Sequence, residues 1–257
     1  MRRALLIVVL AAWPGIASAG LTEQQIGSVA FDPRPGARVP MGLSFTNLAG
    51  ETVTMAQAMG ERPTLLIPAD FTCKQICGPA LTIASAALQQ TGLVAGRDYS
   101  VVVIGIDPRD TLDDARRFTQ GQIATVGTTV LSGTRESIGQ LLQAIGYHDA
   151  FDSGRDAVAH PAAFATLGAD GRLVRMLSSL ALQPTDLRLA LLEAGRGRIG
   201  GLAGRIALLC YGFDAVHGVY TRRITTVLRI AGAISVALLA GAIGLMLLRS
   251  SKRGASA

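Results

Sequence analysis

Two cysteines and a distant histidine are the residues of this sequence best suited to chemistry. Cys73 and Cys77 lie in the segment CKQIC, a few residues after the apolar run PTLLI, and His160 lies far downstream, immediately before Pro161. Thiolates are the form of cysteine that attacks disulfides and binds metal ions. Two convergent thiolates suit Cu(I), but the same pair could instead form a structural disulfide or cycle between dithiol and disulfide. A third ligand would separate a metal site from a purely redox pair, so that choice depends on His160.

The segment around the cysteines predicts reactive thiols. RPTLLIPAD is typical of a strand buried on both faces, and GPALTIASAALQQTGL predicts a helix that ends near Gly92. Because positions i and i+4 face the same side of a helix, both sulfurs point into one patch if the helix begins near Cys73. The helix N-terminus and Lys74 then favour thiolate over thiol at Cys73 and Cys77. Their spacing is one residue longer than the C-x-x-C redox motif, which leaves more room for an ion between the sulfurs.

Strands and helices alternate through the middle of the chain. This order predicts an α/β, thioredoxin-like sandwich that starts with a β-hairpin and has helices on both faces of its sheet. In such a fold the loop before the closing hairpin comes close to the cysteine-bearing helix, which brings His160 within reach of Cys73 and Cys77. HDAFDSGRDAVAHP is predicted to be a loop, and His148 within it is interpreted as a solvated residue. The other predicted segments are the hairpins LSFTNLAGETVTM and AAFATLGADGRLVRML, the strands RDYSVVVIGID and ATVGTTVLSG, and the helices PRDTLDDARRFTQGQ, TRESIGQLLQAIGY and QPTDLRLALLEAG. In the first of these helices, Thr111 is the predicted N-cap.

Both ends of the chain carry membrane signals. The start is basic, continues with an apolar run of about ten residues that is too short to span a bilayer, and reaches a small-residue cleavage site at Ala19. We interpret it as a secretory signal peptide, with an uncleaved anchor as the alternative. Residues 230–248 are uncharged and, at about 1.5 Å per residue, match the hydrocarbon thickness, so they predict one transmembrane helix. Export of the N-terminus would leave residues 249–257 in the cytoplasm and the main domain in the periplasm, anchored to the cell membrane.

The composition of the chain argues against nucleic acid as a partner. The formal net charge is +6, but the chain has only two lysines and its arginines are scattered, so we expect no binding to nucleic acid. An exported compartment also permits disulfides.

The chain is predicted to divide into six segments. They are a signal peptide (1–19), an irregular lead-in (20–38), a thioredoxin-like domain (39–195), a linker and juxtamembrane segment (196–229), a transmembrane helix (230–248) and a cytoplasmic tail (249–257).

The exported domain resembles the Sco/SenC proteins, thioredoxin-like copper proteins that serve cytochrome c oxidase assembly. The resemblance runs from about Val39 to Gly195. Four pieces carry it, namely the strand followed by CKQIC, and the segments VIGIDPRDT, LSGTRESIGQL and AHPAAFATLGADGRLVRML. The signal peptide and the C-terminal span resemble those of a bacterial subgroup of this family.

The resemblance implies a copper site. Cys73, Cys77 and His160 would be its ligands, with the two thiolates holding Cu(I) and the imidazole joining them for Cu(II). Asp107 matches an aspartate that lies close to the family's site, and we expect it to support the site without being a ligand. The chain departs from the family at Lys74, where the family usually has proline.

The third cysteine lies apart from the others. Cys210 precedes the predicted membrane span and is followed by His217. The two residues could form a second, membrane-proximal copper contact. The alternative is that Cys210 is a small buried apolar residue, because an unpaired cysteine often packs as one.

Two functions follow from these residues. The first is a membrane-anchored copper chaperone that delivers copper to the CuA site of cytochrome c oxidase. Its partners would be subunit II or its apo-copper site, other periplasmic copper chaperones and thiol-disulfide reductases. The alternative is a thiol-disulfide oxidoreductase, with Cys73 and Cys77 as its catalytic pair, that reduces partner cysteines for copper loading. A peroxidase relative or a structural disulfide domain is a third possibility, and a structural pair would not need His160 nearby.

Overall fold

A seven-stranded mixed sheet runs through the structure. This computed structural model describes residues 21–34, 36–73, 76–120, 127–196, 208, 211–214, 219–222, 229–230, 232–241 and 243. The predicted signal peptide, Lys74, Cys210, His217 and the tail 249–257 lie outside the described residues.

The helices are α1 (Glu23–Ser28), α2 (Met55–Met59), α3 (Cys77–Gln89), α4 (Leu112–Thr119), α5 (Arg135–Ile145) and α6 (Pro184–Ala194). The strands are β1 (Ala30–Phe31), β2 (Ser44–Asn47), β3 (Thr52–Thr54), β4 (Thr64–Ala69), β5 (Ser100–Gly105), β6 (Thr128–Ser132), β7 (Tyr147–His148), β8 (Ala150–Asp152), β9 (Ala157–Ala159), β10 (Ala163–Leu167), β11 (Leu173–Ser178), β12 (Tyr211–Asp214) and β13 (Val219–Arg222).

The central sheet has the strand order β11-β10-β4-β5-β6-β2-β3. β4, β5 and β6 are parallel, and the remaining neighbours are antiparallel. Three further antiparallel pairs, β1 with β7, β8 with β9 and β12 with β13, lie outside this sheet. The predicted α/β sandwich, both of its hairpins and its parallel centre are therefore confirmed.

The parallel centre of the sheet is covered on both faces. Every residue of β4 and β5 is buried, as their continuous apolar composition predicts for strands covered on both sides. Leu65 points to the face covered by α3, α4 and α6, whereas its neighbour Leu66 points to the face covered by α2 and α5. This alternation follows from the two-residue period of a strand.

Two segments predicted to be irregular contain regular structure, so those predictions were wrong. Within the lead-in, Thr22 forms a capping box with Gln25 that starts α1, and β1 then pairs with β7. Within the predicted loop before the closing hairpin, Ala150–Asp152 pairs with Ala157–Ala159. These short strands are held by pairing and by a local cap, and they carry no clear apolar period that would predict them.

Two loops meet at the carboxyl edge of the parallel strands. One loop follows β4 and leads into α3, and the other follows β5 and leads into α4. The backbone N–H of Phe71 in the first loop donates to Oδ2 of Asp110 in the second, at 2.8 Å. α4 then begins at its predicted cap, Thr111, whose side chain accepts from the backbone of Asp114. Open α/β sheets usually carry their functional sites at this edge.

In the described part of the chain, no helix has both the length and the apolar character needed to cross a membrane. The predicted span 230–248 lies partly outside the described residues.

Replacing Gly146 is predicted to destabilise the fold more than replacing a glycine of similar conformation. Gly146 ends α5 with φ at 68°, and a Cβ there would lie 2.0 Å from the carbonyl oxygen of Asp32. Gly50 has φ at 83° but open space around it. We expect Gly50→Ala to cost about 1 kcal/mol, the strain of a left-handed alanine. Gly146→Ala should cost about 1–3 kcal/mol more, since backbone must move. Urea denaturation of the two variants measures the difference, and equal costs would contradict the close approach to Asp32.

Asp110→Asn is predicted to stabilise the chain at neutral pH. Burial raises the pKa of the Asp110 carboxyl from 3.8 to about 6, so between these values the folded chain binds more protons here than the unfolded chain. The unfolding free energy therefore falls as pH rises through this window. Asparagine does not ionise and still accepts the Phe71 N–H. We expect a gain on the order of 1 kcal/mol at pH 7, reduced by the solvent that reaches this half-buried group, and no gain below about pH 4.

Denaturation curves at several pH values test this prediction. Asp113→Asn is the control, because Asp113 lies three residues further along the chain in the first turn of α4, is exposed and pairs with Arg116. A gain that persists at pH 4, or an equal gain from the control, would show that ionisation of the half-buried Asp110 carboxyl is not the cause.

Candidate metal centre

Cys77 and His160 are in direct contact at the carboxyl edge of the sheet. The Sγ atom of Cys77 lies 3.2 Å from Nε2 of His160. Cys77 is the first residue of α3 and only 5% exposed, and His160 lies between β9 and β10. The contact forms because β10 is antiparallel to β4, which places the start of β10 beside the loop that leaves β4. The structure thus brings together two residues that the sequence analysis selected.

Cys73 lies in the loop before α3. Its side chain forms a hydrogen bond with the side chain of Cys77, and the two cysteines are not joined by a disulfide. The backbone N–H of Cys73 donates to the carbonyl oxygen of Asp70 at 3.2 Å. Because α3 begins at Cys77 rather than near Cys73, the loop brings the sulfurs together and the helical i, i+4 spacing does not.

The thiol of Cys77 differs from the expected low-pKa cysteine. Burial raises the pKa of this thiol well above its usual range, and the hydrogen bond and charge of Cys73 raise it further. A hydrogen bond with the backbone of Asp70 acts in the opposite direction but is a smaller effect. The expectation of a stabilised thiolate at Cys77 was therefore wrong, because removing the sulfur from water outweighs the favourable helix end. Burial therefore favours the neutral thiol over the thiolate at Cys77 in the metal-free protein.

Tyr147 holds the other side of the His160 ring. Its hydroxyl oxygen lies 2.8 Å from Nδ1 of His160 and 2.7 Å from the carbonyl oxygen of Pro161. Burial lowers the pKa of the His160 imidazole, whereas the hydrogen bond to Pro161 raises it. The sequence analysis missed Tyr147. One feature of the sequence could have indicated its role: Tyr147 directly follows Gly146, the glycine at which α5 ends and the chain changes direction.

Asp70 is a second residue that the sequence analysis missed. Its side chain is 1% exposed, and Oδ1 accepts hydrogen bonds from both the backbone N–H and the hydroxyl of Thr72, each at 2.9 Å. Oδ2 accepts from the backbone N–H of Val158 in β9, at 3.4 Å. One carboxylate therefore connects the cysteine loop to the strand that leads to His160.

Asp107 lies at the same edge but contacts a different set of residues. It is buried and forms an ion pair with Arg109, which also pairs with Asp156 and lies over the ring of Phe151. The guanidinium of Arg109 lowers the pKa of the Asp107 carboxyl. The described contacts of Asp107 thus connect the turn after β5 to the β8–β9 hairpin, and the predicted support of the metal site would act through this connection.

His148 directly follows Tyr147 but is not among the residues that contact Cys77 or His160. It lies in β7, where its backbone pairs with Ala30, and its side chain is exposed. The predicted exposure is confirmed, although the residue lies in a short strand rather than in a loop. Cys210 and His217 lie outside the described residues, so their predicted contact stays a prediction.

A cleft of about 950 Å³ opens beside Cys73 and His160. Apolar side chains of α1 and of the residue just before α3 line one part of this cleft. Charged side chains of the β8–β9 hairpin line another part. Within the residues that the structure describes, no three side chains of His, Cys, Asp or Glu are gathered closely enough to hold a metal ion together. Cys77 contacts both His160 and Cys73.

Several solved structures share this fold at low sequence identity. A proposed electron transfer protein from Aquifex aeolicus matches with a TM-score of 0.58 and 23% identity, over 63% of this chain and 95% of that one. Arabidopsis thaliana ScoI, solved with copper bound, matches with a TM-score of 0.52 and 21% identity, over 61% and 99% of the two chains. BsSco, a Sco family member with a disulfide switch, matches with a TM-score of 0.52 and 18% identity, over 64% and 96%.

These likenesses confirm the thioredoxin-like fold. No curated protein matches the chain. The sequence pattern of the SCO1/SenC family matches residues 32–191, which is more than half of the 257 residues and includes both site cysteines and His160. The chain is a member of the SCO1/SenC family.

Proposed function

We propose that this protein binds copper at Cys73, Cys77 and His160 and delivers it to the CuA site of cytochrome c oxidase subunit II during assembly. The observation that carries the proposal is the 3.2 Å contact between Sγ of Cys77 and Nε2 of His160, with Cys73 hydrogen-bonded to Cys77. Family membership supports it, since ScoI of Arabidopsis was solved with copper and BsSco belongs to a family of cytochrome c oxidase assembly proteins.

The donor atoms suit copper in both of its oxidation states. Two sulfur ligands favour Cu(I), and an imidazole nitrogen adds a ligand that suits Cu(II). Both thiols must lose their protons when copper binds. Because burial raises the pKa of the Cys77 thiol, copper competes with a tightly held proton. The affinity of the site for copper therefore rises with pH.

The unequal exposure of the two cysteines suits a transfer role. Cys77 is buried, whereas Cys73 is partly exposed and lines the cleft of about 950 Å³. Thiolates of an acceptor protein would reach copper on the Cys73 side first. In this proposal Cys73 is the ligand exchanged during transfer, and Cys77 with His160 keeps the ion until the acceptor ligands replace them.

The proposal also places the domain on the periplasmic side of the cell membrane. The reasons are the signal peptide predicted over residues 1–19 and the uncharged segment 230–248, which predicts a membrane span. Subunit II, other copper chaperones and thiol-disulfide reductases would then be accessible as partners.

Copper titration of the full-length chain tests the proposed site. The wild type should bind one copper per chain, and Cys73→Ser or Cys77→Ser should weaken Cu(I) binding by at least about 100-fold, more than the loss of an outer contact. His160→Ala should keep Cu(I) binding and weaken Cu(II) binding. His148→Ala is the matched control, since His148 is a histidine whose side chain is exposed. If His160→Ala binds both copper states like the wild type, the ligand assignment is wrong.

Thiol-disulfide exchange is a second candidate function. The side-chain hydrogen bond between Cys73 and Cys77 favours it, because the pair can close to a disulfide when a partner's disulfide is reduced. In that reaction the exposed Cys73 attacks the partner's disulfide, and Cys77 then displaces the reduced partner. The chain loses two electrons and two protons, and the partner's two sulfurs gain them as thiols.

Alkylation is predicted to distinguish the partly exposed Cys73 from the buried Cys77. In a Cys210→Ser background, iodoacetamide should modify Cys73 faster than the buried Cys77, whose raised pKa leaves little thiolate.

Reduction of an oxidised peptide that contains the copper-site cysteines of subunit II is predicted to separate the two functions. This reduction should require Cys73 and Cys77 but not His160. A chain that reduces this peptide and binds no copper would establish the second function and overturn the first.

A further inference from the structure

The hydrogen bonds around Tyr147 determine where the proton of His160 lies. A carbonyl oxygen has no proton, so the 2.7 Å contact between the Tyr147 hydroxyl and the Pro161 carbonyl requires the tyrosine to donate. That donation uses the single proton of the hydroxyl. The 2.8 Å contact between the same oxygen and Nδ1 of His160 therefore requires Nδ1 to be the donor.

The carbonyl of Pro161 leads to the same assignment independently. It lies 3.1 Å from Nδ1 of His160 and can only accept, so Nδ1 must carry a proton for this contact as well. A neutral imidazole has one N–H, so Nε2 then has its lone pair available. Nε2 is the atom that lies 3.2 Å from Sγ of Cys77.

We propose that Tyr147 is a positioning residue that fixes His160 as the Nδ1–H tautomer and aims the lone pair of Nε2 at Cys77. In the metal-free protein this lone pair accepts the S–H proton of Cys77. The proposal deepens the proposed copper function, because the same lone pair would bind the metal, and this last step rests on that function. Ligating histidines are generally oriented by a partner on the other ring nitrogen.

The backbone holds Tyr147 in the position that this role needs. Tyr147 is 2% exposed and pairs with Phe31 of β1, so the strand pair fixes the direction in which its side chain leaves the backbone. Its ring lies nearly parallel to that of His160, with 24° between the planes and 6.2 Å between the centroids. Burial also raises the pKa of the phenol, so it keeps the proton that it donates to Pro161.

Nitrogen NMR of the reduced, metal-free, full-length chain tests the proposal without copper. The chain has three histidines, so loss of one signal set in His160→Gln assigns the resonances of His160. The wild type should show a protonated Nδ1 and an unprotonated Nε2. A protonated Nε2 would overturn the proposal, and this measurement does not depend on how any variant at Tyr147 folds.

Tyr147→Phe tests whether the tyrosine sets the tautomer. Removing one buried hydrogen bond should shift the tautomer ratio toward Nε2–H by about 5-fold to 10-fold. Tyr99→Phe is the matched control, because Tyr99 is also buried but lies before β5, at the opposite edge of the sheet. Identical His160 resonances in the wild type and Tyr147→Phe would overturn the role of Tyr147.

Copper titration of the wild type and of Tyr147→Phe separates the inference about Tyr147 from the proposed copper function. In Tyr147→Phe, Cu(II) affinity should fall by about 10-fold to 100-fold while the two thiols keep Cu(I) affinity. If the wild type binds no copper, the proposed function fails, but the NMR result still decides the tautomer. If the wild type binds copper and Tyr147→Phe changes neither the tautomer nor Cu(II) binding, only the inference about Tyr147 fails.

Discussion

The antiparallel pairing of β10 with β4 is the constraint on which the site depends. β4 ends at the loop that carries Cys73 and leads to Cys77, and β10 begins just after His160. Because the two strands run in opposite directions in adjacent positions, the end of one lies beside the start of the other. Residues far apart in the chain thus come within 3.2 Å of each other. The parallel pair β4–β5 adds the turn after β5, whose Asp110 accepts a hydrogen bond from the cysteine loop.

Burial at this edge decides the protonation of the metal-free site. It raises the pKa of the Cys77 thiol and lowers that of the His160 imidazole, so both groups are held in their neutral forms. A neutral thiol beside a neutral imidazole is compatible with a buried position, whereas an isolated thiolate there would be costly. Copper would replace the thiol protons and provide the positive charge that makes buried thiolates acceptable. The same burial that protects the site therefore ties metal binding to proton release.

The supporting residues come from segments with little pattern of their own. Asp70 connects the cysteine loop to β9, and Tyr147 connects His160 to the end of α5. Neither role could be predicted from local sequence, because each depends on a strand pair that forms between distant segments. The β8–β9 hairpin was missed for the same reason, and so was the pairing of β1 with β7. Strand propensity is weak evidence where the strands have only two or three residues.

The α/β order, the buried parallel strands, the cap at Thr111 and the choice of Cys73, Cys77 and His160 could all be predicted from the sequence. These features depend on apolar period, turn residues and rare chemical types, which are all local. The start of α3, the raised pKa of the Cys77 thiol and the groups that hold His160 depend on contacts between elements that are distant in the chain. Helix boundaries respond to packing, and pKa values respond to desolvation and to neighbours from other elements. Both are properties of the folded surroundings, so no reading of neighbouring residues along the chain could supply them.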